Sequence, residues 1–172
     1  MAREFLLVDG YNIIHAWDEL RELMNTVSLE SARLRLMDIL SNYKGVHSMT
    51  IILVFDAYLV KGNPGSVEKY HNIYVVYTKE AELADQYIER VVSQMPRHYD
   101  VKVATSDELE QVIISGHGAV RMSARELKMA VEQTEHTIRQ QYLQKKSPKN
   151  NLLADNLDEE ARNWLEQMRY MK

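Results

Sequence analysis

Three short apolar runs end on an aspartate or reach one within three residues. Phe5–Val8 stops at Asp9-Gly10, Thr50–Phe55 stops at Asp56, and Val101–Ala104 leads into Thr105-Ser106-Asp107. Ligands of open parallel sheets bind outside the carboxyl ends of the strands, so the three aspartates are expected to face one crevice. Glu82 and Asp85, three apart near the start of an expected helix, add two acids on one helical face. Four or five carboxylates in a small site repel one another and raise at least one pKa unless a counter-ion is present. Mg²⁺ resolves that repulsion, because it takes oxygen ligands, keeps waters and suits phosphoester hydrolysis. A single aspartate at such a place is more often a turn or helix cap, and Asp107 has cap spacing in its own right. Three strands in a row ending this way favour a functional cluster.

Other chemistries have weaker support. The six histidines are never closer than 19 positions apart, so no local metal pair of the His-Glu-x-x-His kind exists. There is no cysteine, which removes thiolate zinc sites, cysteine nucleophiles and disulfides. Ser115-Gly-His-Gly118 is not a Gly-x-Ser-x-Gly elbow, and no Walker or Gly-x-Gly-x-x-Gly loop occurs. A small-molecule phosphatase with a phosphoaspartyl intermediate would need a second aspartate two residues after Asp9, where Tyr11 stands. Lys61, Lys69 and Lys79 flank the loops of the second and third strands, and Arg121, Arg125 and Lys128 surround the start of a late helix. These are the candidate phosphate contacts, with Tyr11 and Tyr58 as candidates for base stacking. Scattered cations are usually plain solvated surface.

The elements that must hold these residues alternate. Strands are expected at 5–8, 50–55, 73–77 and 101–104, the second without alternation, as in a parallel sheet buried on both faces. Helices are expected over 28–43, with Ser28 as cap and Gly45 past its end, and over 80–95, stopped by Pro96. A third is expected from the Thr105–Glu108 capping box to about Ser115. The longest opens at the Ser123–Glu126 box, with Leu127, Val131, Thr134, Ile138 and Tyr142 as its inner stripe. Residues 61–72 read as a mobile polar loop, on Gly62, Pro64 and Gly65. The alternation predicts an α/β domain over 1–146 with a mainly parallel sheet, and 147–172 as an appendage of linker and short helix.

The 172 residues suit one domain, with 45% apolar and 27% charged residues. A net charge of −4 gives no general attraction for phosphate, so a nucleic-acid partner has to be met by local basic groups such as Lys145, Lys146 and Lys149. No apolar run approaches a membrane span, and Glu4 and Asp9 bracket the first one, so a cytoplasmic protein without a signal segment is expected.

The segments Leu7-Val-Asp9-Gly-Tyr11-Asn12-Ile, Val54-Phe-Asp56-Ala and Thr78-Lys-Glu80-Ala-Glu82-Leu-Ala-Asp85 carry a family likeness, as do Ala104-Thr-Ser106-Asp107 and Ser123-Ala-Arg125-Glu-Leu127. In order and spacing, over about residues 5–145, they resemble the YacP-like branch of the NYN domains, relatives of PIN-domain nucleases. The resemblance implies a ribosome-associated endoribonuclease. It implies a PIN-like three-layer sandwich with acids at the carboxyl edge, and Mg²⁺ or Mn²⁺ dependence. By position, Asp9, Asp85 and Asp107 match metal-binding acids and Asp56 the acid of the second strand. Asn12 matches the asparagine that accompanies Asp9, Glu82 a nearby acid, and Ser106 a supporting hydroxyl.

The expectation is a metal-dependent endoribonuclease with Asp9, Asp56, Asp85 and Asp107 catalytic. Its substrate would be mRNA on the ribosome, with no DNA and no membrane. The rival is a non-catalytic RNA- or ribosome-binding module on the same fold.

Overall fold

The computed structural model describes residues 3–57, 64–107, 118–144 and 152–170. The chain runs β1 (Glu4–Asp9), α1 (Gly10–Ala16), α2 (Asp18–Thr26), α3 (Leu29–Lys44), β2 (Thr50–Phe55), β3 (Ser66–Tyr70) and β4 (Ile73–Tyr77). It continues through α4 (Ala84–Gln94), β5 (Asp100–Ala104), β6 (Val120–Met122), α5 (Ala124–Gln144) and α6 (Leu152–Tyr170).

Six strands form one sheet in the order β3-β4-β2-β1-β5-β6. All neighbours are parallel except the edge pair β3–β4. The chain therefore builds outward from β1 to β2 and β4, then returns to the other side of β1 for β5. That reversal makes the carboxyl edge between β1 and β5 the switch point at which open sheets hold ligands.

Each strand feeds two cores because its side chains alternate between faces. Leu6, Val8, Ile51, Leu53 and Phe55 pack with α1, α2, α3 and α5. Phe5, Leu7, Ile52 and Val54 face the opposite way and pack with α4 and with Ala161, Leu165 and Met168 of α6. The result is three layers, helix on sheet on helix. No helix among the described residues is long and apolar enough to cross a membrane.

Two contacts fix the start of α1. A Cβ on Gly10 would lie 2.2 Å from the Phe55 ring, so the helix can follow β1 this closely only with glycine there. The Trp17 indole N–H, buried between α1 and α2, donates to the Ala124 carbonyl at 2.8 Å and ties this layer to the first turn of α5.

The expected strands and the two capped helices are where the sequence placed them. Ser28 accepts the Ser31 N–H at 3.0 Å, and Ser123 accepts the Glu126 N–H at 3.1 Å. Four expectations need correction. The 61–72 stretch is not all loop, because Ser66–Tyr70 pairs antiparallel with β4 through the tight His71-Asn72 turn. The 80–95 helix begins at Ala84, since 79–82 form a turn in which Ala81 takes a φ of +72°. The stripe of α5 stops short of Tyr142, which is 86% exposed. The expected helix to Ser115 lies outside the described residues. The last helix spans 19 residues rather than a short segment.

Gly10→Ala should destabilise the protein by about 1–3 kcal/mol, the usual cost of overpacking. In a Phe55→Leu background the same change should cost much less, as urea unfolding in a double-mutant cycle would show. Equal costs in both backgrounds would mean that the ring contact is not the cause.

Candidate functional site

Asp9 is the last residue of β1 and only 7% exposed. Its backbone is extended and forms the N-cap of α1, yet its side chain makes no capping bond there. Asp56 follows β2 directly, and Asp107 lies three residues past β5. Because β1 pairs with both β2 and β5, the three acids leave adjacent strands at the same edge. Asp85 reaches that edge from the first turn of α4, and its field acts on Asp56.

The edge is stitched together by polar groups. The Asp56 carboxylate accepts the Ala84 N–H, so it caps α4 from another element. This is favourable at the positive end of a helix. Thr78, almost fully buried, performs a parallel task. Its hydroxyl accepts the Ala57 N–H at 3.1 Å and donates to the Glu82 carbonyl at 2.7 Å. One threonine thereby joins the segment carrying Asp56 to the turn that delivers Asp85. Across the switch point, Asn12 Oδ1 accepts the Ser106 backbone N–H at 2.9 Å and the Ser106 hydroxyl as well. The asparagine and the serine expected to support the acids are thus bonded to each other, bridging β1 and β5.

Glu82 is committed elsewhere. It pairs with Arg90 at 2.9 Å, and Arg90 also donates to the Met168 carbonyl of α6 at 2.9 Å. The Arg90 guanidinium lies over the ring of Tyr87, 5.2 Å from its centroid. This acid braces α4 against α6 and is not brought together with the others.

Among the cations, Arg125 and Lys128 line a cavity of about 470 Å³ with Trp17, Ser106 and Ser123, next to the Asn12–Ser106 bridge. Arg121 is exposed on the edge strand β6, opposite Val103. Lys69 lies away from the acids, opposite Tyr74 near the amino end of β4, with its ammonium 5.8 Å from that ring. Lys61, Tyr58, Lys145, Lys146 and Lys149 lie outside the described residues. Tyr11 is unsuited to stacking a base, because its ring is buried against Phe55 at 5.0 Å between centroids.

Two groups escaped sequence reading. Thr78 was an anonymous threonine after a strand, and its role depends on a turn the sequence did not reveal. Arg33 had no signal at all. From the second turn of α3 it donates to the Tyr11 hydroxyl at 3.1 Å and reaches the Tyr77 hydroxyl.

The donor set at the edge is entirely oxygen, which suits a hard cation such as Mg²⁺ or Mn²⁺. Among the described residues no three acids or histidines converge into a ready-made metal cage. Mg²⁺ commonly takes one or two carboxylates and completes its shell with water and substrate phosphate, so an open edge of this kind still fits it. Asp9, Asp56, Asp85 and Asp107 are the carboxylates of this edge from which one or two such ligands would come.

The YacP-like NYN domain family model matches residues 6–170. The chain belongs to that family. It is 43% identical over 136 residues to the uncharacterized protein YacP of Bacillus subtilis (strain 168), covering 78% of this chain and 79% of that one. The crystal structure of Rae1 (YacP) from Bacillus subtilis is similar with a TM-score of 0.70 at 37% identity, over 96% of this chain and 94% of that one. A tryptophan-to-leucine variant of Rae1 gives a TM-score of 0.69 at 39% identity, with 80% of each chain covered. The fold of this NYN domain is therefore the PIN-like one, and membership is consistent with a nuclease or RNA-related function.

Burial is the main cause that pushes the Asp56 carboxyl above the ordinary aspartate range; the Ala84 N–H opposes it and the Asp85 charge adds to it. A folded-state pKa above the unfolded one stabilises the fold fully below the unfolded value of about 3.9, and that stability is lost as pH rises through the folded value. Ionised Asp56 thus costs stability at neutral pH when no cation is bound. Asp56→Asn keeps an acceptor for Ala84 and should resist urea better than wild type at about pH 7 without divalent ions. The difference should shrink towards about pH 4, and a constant difference across this range would contradict the assignment.

Proposed function

We propose that this NYN domain is a metal-dependent endoribonuclease that cuts mRNA on the translating ribosome. The observation that supports it best is Asp56 and Asp85, two like charges brought into each other's field from separate elements at the switch edge. Asp9 and Asp107 leave the two neighbouring strands at the same edge.

When bound, Mg²⁺ or Mn²⁺ would polarise a phosphodiester and lower the pKa of an attacking water. Asp9, Asp85 and Asp107 would hold it, with Asp56 assisting. The chain's own groups do the positioning. Asn12 and Ser106 keep the ends of β1 and β5 together, and Thr78 keeps Asp56 and the start of α4 in register. Arg125 and Lys128, lining the cavity beside Ser106, receive phosphates of the strand. Products of water attack carry 5′-phosphate and 3′-hydroxyl ends.

Asp9→Asn and Asp85→Asn should each reduce cleavage about a hundred- to a thousand-fold while leaving the fold intact, the scale of one lost electrostatic contact at a transition state. EDTA should stop cleavage, and Mg²⁺ or Mn²⁺ should restore it. Undiminished cutting of labelled RNA by both variants, or 2′,3′-cyclic ends formed in EDTA, would reject the mechanism.

Charge supports the ribosomal setting. At −4 the chain draws a free polyanion weakly, and its affinity fades with salt. Docking through local cations would supply the effective concentration that its own RNA affinity lacks. One message, compared translated and untranslated at about 150 mM salt, should be cut far better when translated. Reversing the charge of Arg125 and Lys128 should abolish that advantage. Equal cutting of naked and translated RNA would remove the ribosome from the proposal.

A further inference from the structure

The carboxyl ends of β1, β2 and β4 carry a row of rings on the α3 side. Tyr11 follows Asp9 by two residues, while Phe55 and Tyr77 are the last residues of β2 and β4. Tyr11 lies 5.0 Å from Phe55 and Phe55 lies 5.8 Å from Tyr77, centroid to centroid. Arg33 spans the row, with Nη1 donating to the Tyr11 hydroxyl at 3.1 Å and the same guanidinium reaching Tyr77. The Tyr11 hydroxyl also lies in the field of Asp56, which places this group beside the acids.

We propose that Arg33 is a substrate contact whose guanidinium holds an RNA phosphate against the acidic edge. The inference rests on the RNA-cleaving function proposed above and adds a binding residue to it.

Three arguments carry it. A half-buried arginine that serves only structure normally meets a carboxylate, which neutralises it. Here, among the described residues, it donates to the neutral Tyr11 phenol and forms no ion pair, while its charge also acts on Tyr77. Glu30 and Glu68 act on Tyr77 through their charge and do not take Arg33 as a partner.

Second, guanidinium has five N–H donors in a flat fork that matches phosphate oxygens in pairs. The hydrogen bond to Tyr11 leaves part of that fork for a ligand.

Third, an edge bearing four aspartates repels the phosphate it must cut. Arg125 and Lys128 offset this on the β5–β6 side, at the cavity they share with Ser106. Arg33 supplies the matching cation on the β2–β4 side, so a strand crossing the sheet edge meets positive charge both before and after the acids.

The test uses a labelled single-stranded RNA oligomer. Its binding is measured against salt in the Asp9→Asn protein without divalent ions, and its cleavage in the otherwise native protein with Mg²⁺. Arg33→Ala should weaken binding several-fold and reduce the salt slope by about 0.7, the value for one phosphate contact on a single strand. It should raise KM more than it lowers kcat. Arg33→Lys should keep the slope, because it keeps the charge, yet bind more weakly for want of the fork. Tyr77→Phe should keep the slope as well.

If Arg33→Ala lowers thermal stability but changes neither slope nor KM, Arg33 is a brace and the proposal is overturned while the nuclease reading stands. If the native protein cuts neither the oligomer nor a translated message but Arg33→Ala still loses the slope, the nuclease reading fails and the phosphate contact stands. Should the alanine variant not fold, Arg33→Lys decides: binding as tight as that of the parent protein would overturn the proposal.

Discussion

Everything at the carboxyl edge depends on the parallel pairing of β1 with β2 on one side and β5 on the other. Leu7 and Val8 are completely buried, so β1 has no freedom to slide. A shift by one residue would exchange its two core faces. The register that follows puts Asp9 opposite Val54, two residues before Asp56, and Val8 opposite Ala104, three before Asp107. The acids leave the same edge because the hydrophobic effect has locked three apolar strands in register. Nothing in the carboxylates themselves would bring them together.

Holding like charges at such an edge requires compensation, and the polar network provides it by occupying backbone donors and acceptors. Asp56 gains the Ala84 N–H, and the buried Thr78 hydroxyl uses one donor and one acceptor on the two segments it joins. Buried polar groups stabilise only when satisfied, so these bonds also fix where the segments can lie. The turn at 79–82 shows the cost, since Ala81 takes a left-handed backbone that a residue with a Cβ adopts reluctantly. The chain accepts this strain where it must swing from β4 into α4 and present Asp85. Arg90 then anchors the far side by binding both Glu82 and the Met168 carbonyl. The C-terminal helix is in this way connected to the segment that carries an acid of the edge.

What the sequence reveals divides along physical lines. Long apolar runs were legible because burial on both faces leaves no polar interruption, as in Thr50–Phe55. Helices with a serine cap were legible because the cap is a local bond, as at Ser28 and Ser123. The short elements were hidden. Helix α1 has only seven residues and no acid in its first turn, and β6 has three residues. Strand β3 was masked by the glycines and proline just before it and by Glu68 and Lys69, types that are depleted in strands. Glu82 was misplaced on a helical face because Glu80-Ala-Glu82 has good helix propensity, which the tertiary turn overrides. The acids were found from their position after strands. Thr78 and Arg33 were not, because what distinguishes them is their partners, and those come from elements distant in the sequence.

The layout of charge explains how an acidic chain can suit a polyanionic substrate. Beyond the Debye length, about 8–10 Å at physiological salt, charges are largely screened, and the weak field that remains follows the net charge, which here is negative. Inside that distance only the nearest groups matter. Arg33 lies on one side of the acids and Arg125 and Lys128 on the other, while Lys69 is out of reach near the amino end of the sheet. A strand delivered to the edge would meet cations spaced around the acids, whereas a strand in bulk solution would meet a weakly repulsive surface. The same distribution of charge therefore disfavours indiscriminate capture of RNA and favours RNA that something else has already positioned. Selectivity of this kind needs no base-reading surface, which agrees with the burial of Tyr11. On the proposed function, discrimination would then lie in delivery of the strand rather than in recognition of its sequence.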